Sequence, residues 1–374
     1  MHDPRHDKLA ELLVNYSTKV QPGEKVLIEA YDTPIEFIEA LVKAVYKAGG
    51  FPLLELKYNR LMRSLLMGAS KESLAAMRDA ELHRMENMDA YIGVRGYSNA
   101  KDLSDLPSSQ NALWGTEMFQ PVHANVRVSK TKWVVLRYPT PTMAMMANMS
   151  TEAFEDYYFK VTAGVDYQKM SEMMDPAAEF IRGADRVHIK GPGTDLTFSI
   201  KGIGAVKCDG GRNIPDGEVY SCPVRNTVNG TISYNTPSSY HGFTFKDVKL
   251  RFEEGKIIEA TANDTKRVNE VFDTDDGARH IGEFALGCNP YINFAIDEIL
   301  FDEKIGGSFH FTPGNAYDET DNGNRSAVHW DLVCIQTPEY GGGEIWIDDQ
   351  LIRKDGVFVH EAFKGLNPEN LIAE

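Results

Sequence analysis

The chain has 374 residues, of which 42% are hydrophobic and 25% charged. That is ample apolar material for one large core or, at this length, two domains, and it excludes disorder as the default. A formal charge of -16, from 39 basic against 55 acidic residues, repels polyanions and argues against a nucleic-acid partner.

No apolar run reaches the roughly 18 residues that a membrane span needs, and the N-terminus lacks a signal-peptide layout, so a cytoplasmic protein with no membrane partner is expected. The four cysteines are widely spaced without a Cys-x-x-Cys pair. They read as buried thiols rather than disulfides or thiolate zinc ligands.

Residues 23–30 (GEKVLIEA) read as a turn into a short buried strand. In TPIEFIEALVKAVYKAGG (33–50), Thr33 caps a helix, Pro34 takes its first position, Glu36 closes a capping box and Gly49-Gly50 ends it. FPLLELKY (51–58) follows as a second strand, so 23–58 form a βαβ unit with a right-handed crossover and imply a parallel sheet. A helical stretch from about Arg60 to Met85, strands at 89–96 and 133–139, and helical signals through 149–170 and 175–184 continue the α/β texture. From Asp185 onward the pattern changes to short alternating strands with Gly, Asn and Pro turns, and one helix near 264–272. The expected architecture is an α/β N-terminal domain (1–184) with a mostly parallel sheet, followed by a strand-rich α+β C-terminal domain (185–374).

Candidate chemistry lies in that second half. In SAVHWDLV, His329 and Asp331 stand two apart, so on a strand both leave one face while Trp330 leaves the other. A carboxylate among apolar residues is costly without a cation or donor. Taken alone, the pair is equally well a core His–Asp hydrogen bond. His310 ends the strand GSFHF, and Tyr317 follows a Pro-Gly-Asn turn. Glu218 follows IPDG, and Glu283 sits between glycines in HIGEFALG, where backbones can approach closely. Each by itself is more often structural. Together, three carboxylates, two imidazoles and a phenol suit zinc, cobalt or manganese and offer more oxygens than one tetrahedral zinc needs, which points to a two-metal site.

Other signals carry less. GPGTDL (191–196) reads as a turn rather than a dinucleotide loop, and DTDDG (273–277) as an acidic helix exit rather than a calcium loop. His2 and His6 read as solvated terminal residues.

The ordered segments IPDGEVYSCPVRNTVNGTISYNTPS, GEFALGCNPYIN, HFTPGNAY and SAVHWD, with LAELLVNYSTKVQPGEKVLIEA and VVLRYPTPTMA before them, resemble the M29 metallopeptidases, the thermophilic-type aminopeptidases. The resemblance covers nearly the whole chain. It implies a cytoplasmic homodimer that cleaves the first residue from peptides with a free N-terminus, using two divalent metal ions (zinc, cobalt or similar) in a C-terminal metal-binding domain. Matched residue by residue, it implies Glu218, Glu283, His310, Tyr317, His329 and Asp331 as the metal-binding set. Glu283 is then a bridging ligand or a general base, and Tyr317 a ligand or a donor to the oxyanion. Thr312-Pro313 departs from the small and aliphatic residues usual there, which bears on substrate preference. A second reading is a non-haem iron oxygenase using His329, Asp331 and His360, which leaves Glu218, Glu283 and His310 without a role. A third is an inactive peptide- or metal-binding protein.

Overall fold

A computed structural model describes residues 3–372. Its first sheet is parallel throughout. Lys25–Tyr31 pairs with Phe51–Lys57 on one side and with Ala90–Arg95 on the other, then comes Lys132–Arg137, and the short Asn213–Ile214 closes the far edge. Helix Ile35–Lys47 connects the first two strands, as the βαβ pattern requires. Val26, Leu27 and Ile28 are fully buried, as expected of a parallel strand covered on both faces.

Local details differ from expectation where side chains found other partners. Thr33 does not cap the helix; its hydroxyl donates to the Tyr31 carbonyl at 2.9 Å, and Pro34 holds the cap position without a side-chain bond. The stretch from Arg60 to Met85 is two helices, Asn59–Met67 and Lys71–Met85, interrupted at Gly68 and restarted by a reciprocal Ser70–Ser73 capping box. His6 is not solvated: it is buried, and its Nε2 meets the Tyr138 hydroxyl at 2.8 Å. His2 lies outside the described residues.

The chain divides into two compact units, Met1–Ala163 with Gly210–Ile214, and Gly164–Asp209 with Pro215–Glu374. The division falls ahead of the change of texture at Ala184, because helix Tyr167–Gly183 is tied to the strand region that follows it. Lys207 Nζ reaches Asp175 Oδ1 at 2.5 Å and the Ser171 carbonyl at 3.0 Å, and Arg182 donates to the Ala205 carbonyl.

The second unit is built on two larger antiparallel sheets. One has eight strands, from Lys256–Thr261 at one edge to Val357–Phe358 at the other. The other has five, in the order Val333–Ile335, Ser308–Pro313, Ile281–Gly287, Glu218–Ser221, Val206–Cys208. Phe198 and Phe252 of the larger sheet pack on Phe284 and Phe311 of the smaller, with ring centroids 5.1 to 6.0 Å apart. Side chains alternate across a strand, so the neighbours of these phenylalanines, Glu283, His310 and Thr312, leave the opposite face. That alternation sets the charged residues apart from the aromatic core.

Candidate metal centre

Register brings the polar face together. Glu283 pairs with Thr312 and Ala285 with His310 across one strand pair, while Gly287 pairs with Glu218 across the next. Glu218, Glu283 and His310 are all buried, and every position of the two central strands, Ile281–Gly287 and Ser308–Pro313, is buried as well. His310 Nε2 lies 3.3 Å from Glu283 Oε1 and 3.6 Å from Glu218 Oε2.

His329 and Asp331 arrive from an extended segment that is not the regular strand expected of SAVHWDLV. Only an isolated bridge between His329 and Gly314 marks it, and the ladder resumes at Val333–Ile335. The alternation holds nonetheless: Trp330 turns away to bond Ser238 and stack on Tyr240, while His329 Nε2 faces Asp331 Oδ1 at 3.3 Å and Glu283 Oε2 at 3.5 Å. Gly314 makes this approach possible. Its φ is +112°, and a Cβ there would stand 2.0 Å from the Val328 carbonyl oxygen. Gly282, beside Glu283, is likewise pressed on the Asn315 carbonyl, at 2.1 Å from an ideal Cβ.

The result is two overlapping groups, Glu218–Glu283–His310 and Glu283–His329–Asp331, with donor atoms in each group within 4.8 Å of one another. Glu283 belongs to both and turns one oxygen to each histidine. Tyr317 stands at the rim, 43% exposed, its ring 4.7 Å from that of His329. His360 is elsewhere: its Nε2 meets Gln350 Oε1 at 3.0 Å and its ring packs on Phe180 at 4.7 Å. Among the described residues it joins neither group.

Electrostatically the cluster is a carboxylate cage around two cations. Burial opposes protonation of His310, but the Glu218 carboxylate and the Glu283 hydrogen bond raise it to about 10; His329 is likewise raised to about 10 against burial, chiefly by Asp331. Burial raises the Glu283 carboxyl, while Asp331, despite its own burial, is held below the usual range by His329. The carboxylates that raise these histidines would equally favour a metal cation.

Several residues that fix this geometry carried no sequence signal. Thr312, read as a departure from the family pattern, donates its hydroxyl to Asp331 Oδ1 at 2.7 Å. The Asn315 carbonyl accepts from His329 Nδ1 at 2.9 Å. Lys304 is 1% exposed and its ammonium bonds Glu218 Oε1 at 2.6 Å.

The donor chemistry fits divalent metal. The Nδ1–H of His329 is fixed toward a carbonyl, which aims Nε2 inward, the usual arrangement of a metal-bound histidine once the Nε2 proton is displaced. His329 Nε2 and Glu218 Oε2 are buried without hydrogen-bond partners. Carboxylate oxygens with two imidazoles and no cysteine in the two groups are a donor set suited to divalent metal.

Comparison with known proteins agrees. Residues 2–347 match the family described as thermophilic metalloprotease (M29), and the chain belongs to that family of peptide-bond hydrolases. It is 26% identical to aminopeptidase T of Thermus thermophilus, over 87% of this chain and 91% of that one. The fold is that of wild-type AmpT from Thermus thermophilus, with a TM-score of 0.79, 22% identity, and 96% and 99% of the two chains covered. A 2,5-dihydroxypyridine dioxygenase from Pseudomonas putida shares the fold at a TM-score of 0.61 and 14% identity, covering 96% and 98% of the two chains. The fold by itself therefore does not decide the chemistry.

Proposed function

We propose that the chain is an aminopeptidase that removes the N-terminal residue from peptides, with two divalent ions of zinc or cobalt type held by Glu218, Glu283, His310, His329 and Asp331. The observation that carries this reading is Glu283, with one oxygen toward each histidine, shared by two donor groups. Metal ions bound there supply Lewis-acid polarisation of the scissile carbonyl and acidify the attacking water.

The rest is the work of the side chains. Glu283 lies between the two groups, where it holds or accepts the proton of the water. Tyr317, open to solvent beside His329, donates its phenol hydrogen to the oxyanion that forms on the substrate. Thr312 and the Asn315 carbonyl keep Asp331 and His329 aimed inward.

The functional unit in this reading is a cytoplasmic homodimer. Its support is an apolar face on the first unit: strand Phe51–Lys57 is an edge of its sheet, and Leu54, Leu56 and Tyr58, alternating onto one side, are about half exposed, with Leu61 of the next helix beside them in sequence. Exposed apolar groups of this size on a strand edge ask for a partner.

The test is release of p-nitroaniline from leucyl anilide by chelator-stripped protein before and after cobalt or zinc is restored. Recovery only with metal is expected. No release from several aminoacyl anilides with any metal would overturn the proposal. The oxygenase reading needs His360 as a ligand, and its place beside Gln350 and Phe180 gives it no such support. A His360→Ala variant is expected to retain its metal.

A further inference from the structure

The row of donor groups does not stop at Glu218. Cys208 stands opposite Glu218 across the strand pair, and atoms of Cys208, Asp216 and Glu218 form a third group within 4.8 Å of one another. This group already holds a cation. Lys304, just past the short helix Ile299–Asp302, directs its ammonium to Glu218 Oε1 at 2.6 Å, Glu303 Oε1 at 2.9 Å and Asp216 Oδ1 at 3.3 Å.

Three carboxylates lie within ion-pair distance of the ammonium, and Glu218 Oε1 accepts a hydrogen bond from it. The backbone pins the arrangement: the Asn289 amide donates to the Lys304 carbonyl at 3.0 Å, and Asn289 Nδ2 donates to the Asp216 carbonyl at 2.8 Å. Such a buried point charge, compact and strongly hydrated when free, is tolerated only because its oxygens replace water. A small divalent ion makes the same demand of the same oxygens.

We propose that Lys304 is a built-in cation that occupies the third position of the row and so holds the centre at two metal ions. By engaging Glu218 Oε1, it also leaves only Oε2, which has no hydrogen-bond partner, to face His310. The count of two rests on the function proposed above; the role of Lys304 is separable from it.

The experiment removes the ammonium and asks whether an ion takes its place. Chelator-stripped wild type and Lys304→Ala are equilibrated with Co2+, ions per chain are counted, and the near-ultraviolet thiolate-to-cobalt charge-transfer band is recorded. The variant is expected to bind one ion more than wild type and to show a thiolate band that wild type lacks. Adding Cys208→Ser should abolish that band. Without metal the variant should melt below the metal-free wild type, and Co2+ should restore it, because the carboxylates would otherwise be buried without a counter-charge.

A folded variant with the wild-type ion count overturns the proposal, and so does an extra ion without the band, since that ion lies elsewhere. A variant that stays unfolded in saturating Co2+ overturns it as well, because an ion then cannot replace the ammonium. If wild type itself binds fewer than two ions, the two-metal reading fails, while the difference of one ion between variant and wild type still decides the role of Lys304.

Discussion

Thr312 and Glu283 act on the same few ångströms in different ways. The Thr312 hydroxyl is spent on Asp331, a ligand in the proposed function, and partners of metal ligands typically contribute about 10- to 100-fold in metal affinity. Thr312→Val, which keeps the shape and removes the donor, should weaken metal retention by about that factor in a chelator competition while leaving the melting temperature nearly unchanged. Glu283→Gln keeps the size but removes a charge and a proton acceptor. It should fold and lose roughly 100-fold or more of kcat; near wild-type turnover by a folded variant would remove Glu283 from the mechanism.

Protonation gives a further test at this scale. In the metal-free chain the neighbouring carboxylates, against burial, raise His310 and His329 to about 10. A metal ion must displace their protons, so binding releases them and tightens as pH rises from about 6 to about 9. Calorimetry in buffers of different protonation enthalpy should show that release; binding enthalpies independent of buffer would contradict it.

Among the elements, the parallel sheet buries an ion cluster. Glu29 on strand Lys25–Tyr31 accepts from Tyr91 and pairs with Arg95 at 2.6 Å and Lys57 at 3.0 Å. Burial opposes its ionisation, but Arg95 and Lys57 lower it from 4.5 to about 2. A carboxyl lowered on folding stabilises above its unfolded value and loses that stabilisation as pH falls through the folded one. The expected loss between pH 4.5 and 2 is on the order of 3 kcal/mol. Urea unfolding of wild type and Glu29→Gln across that interval checks it: the variant should be less stable at neutral pH and flatter toward acid, and equal slopes would show that Glu29 contributes nothing.

For the whole molecule, the apolar edge at Leu54, Leu56 and Tyr58 predicts self-association. Leu54→Glu with Leu56→Glu should convert a dimer to monomers in sedimentation without lowering the helical signal. A wild type that sediments as a monomer at micromolar concentration would leave that face without its partner. No helix among the described residues is long and apolar enough to cross a membrane.

The sequence by itself determined the parts governed by near neighbours. Charged residues inside the apolar runs around Glu283 and His310 stood out because burial of a lone charge is costly. The βαβ pattern of 23–58 followed from periodicity and stop signals, and the order of four motifs identified the family. What only the tertiary structure decided were the relations between distant segments. Glu218, Glu283 and His310 meet because strand register, not spacing, sets which side chains share a face, and an isolated bridge to Gly314 brings His329 beside them. The capping role expected of Thr33 failed for a similar reason, since a carbonyl two residues back offered a better partner. Thr312 looked like a mere variation until Asp331 was seen beside it. Nothing in the local sequence of Lys304 tells that three carboxylates close around its ammonium. Long-range pairing, burial and counter-charge are properties of the packed chain, and they assigned each of these side chains its role.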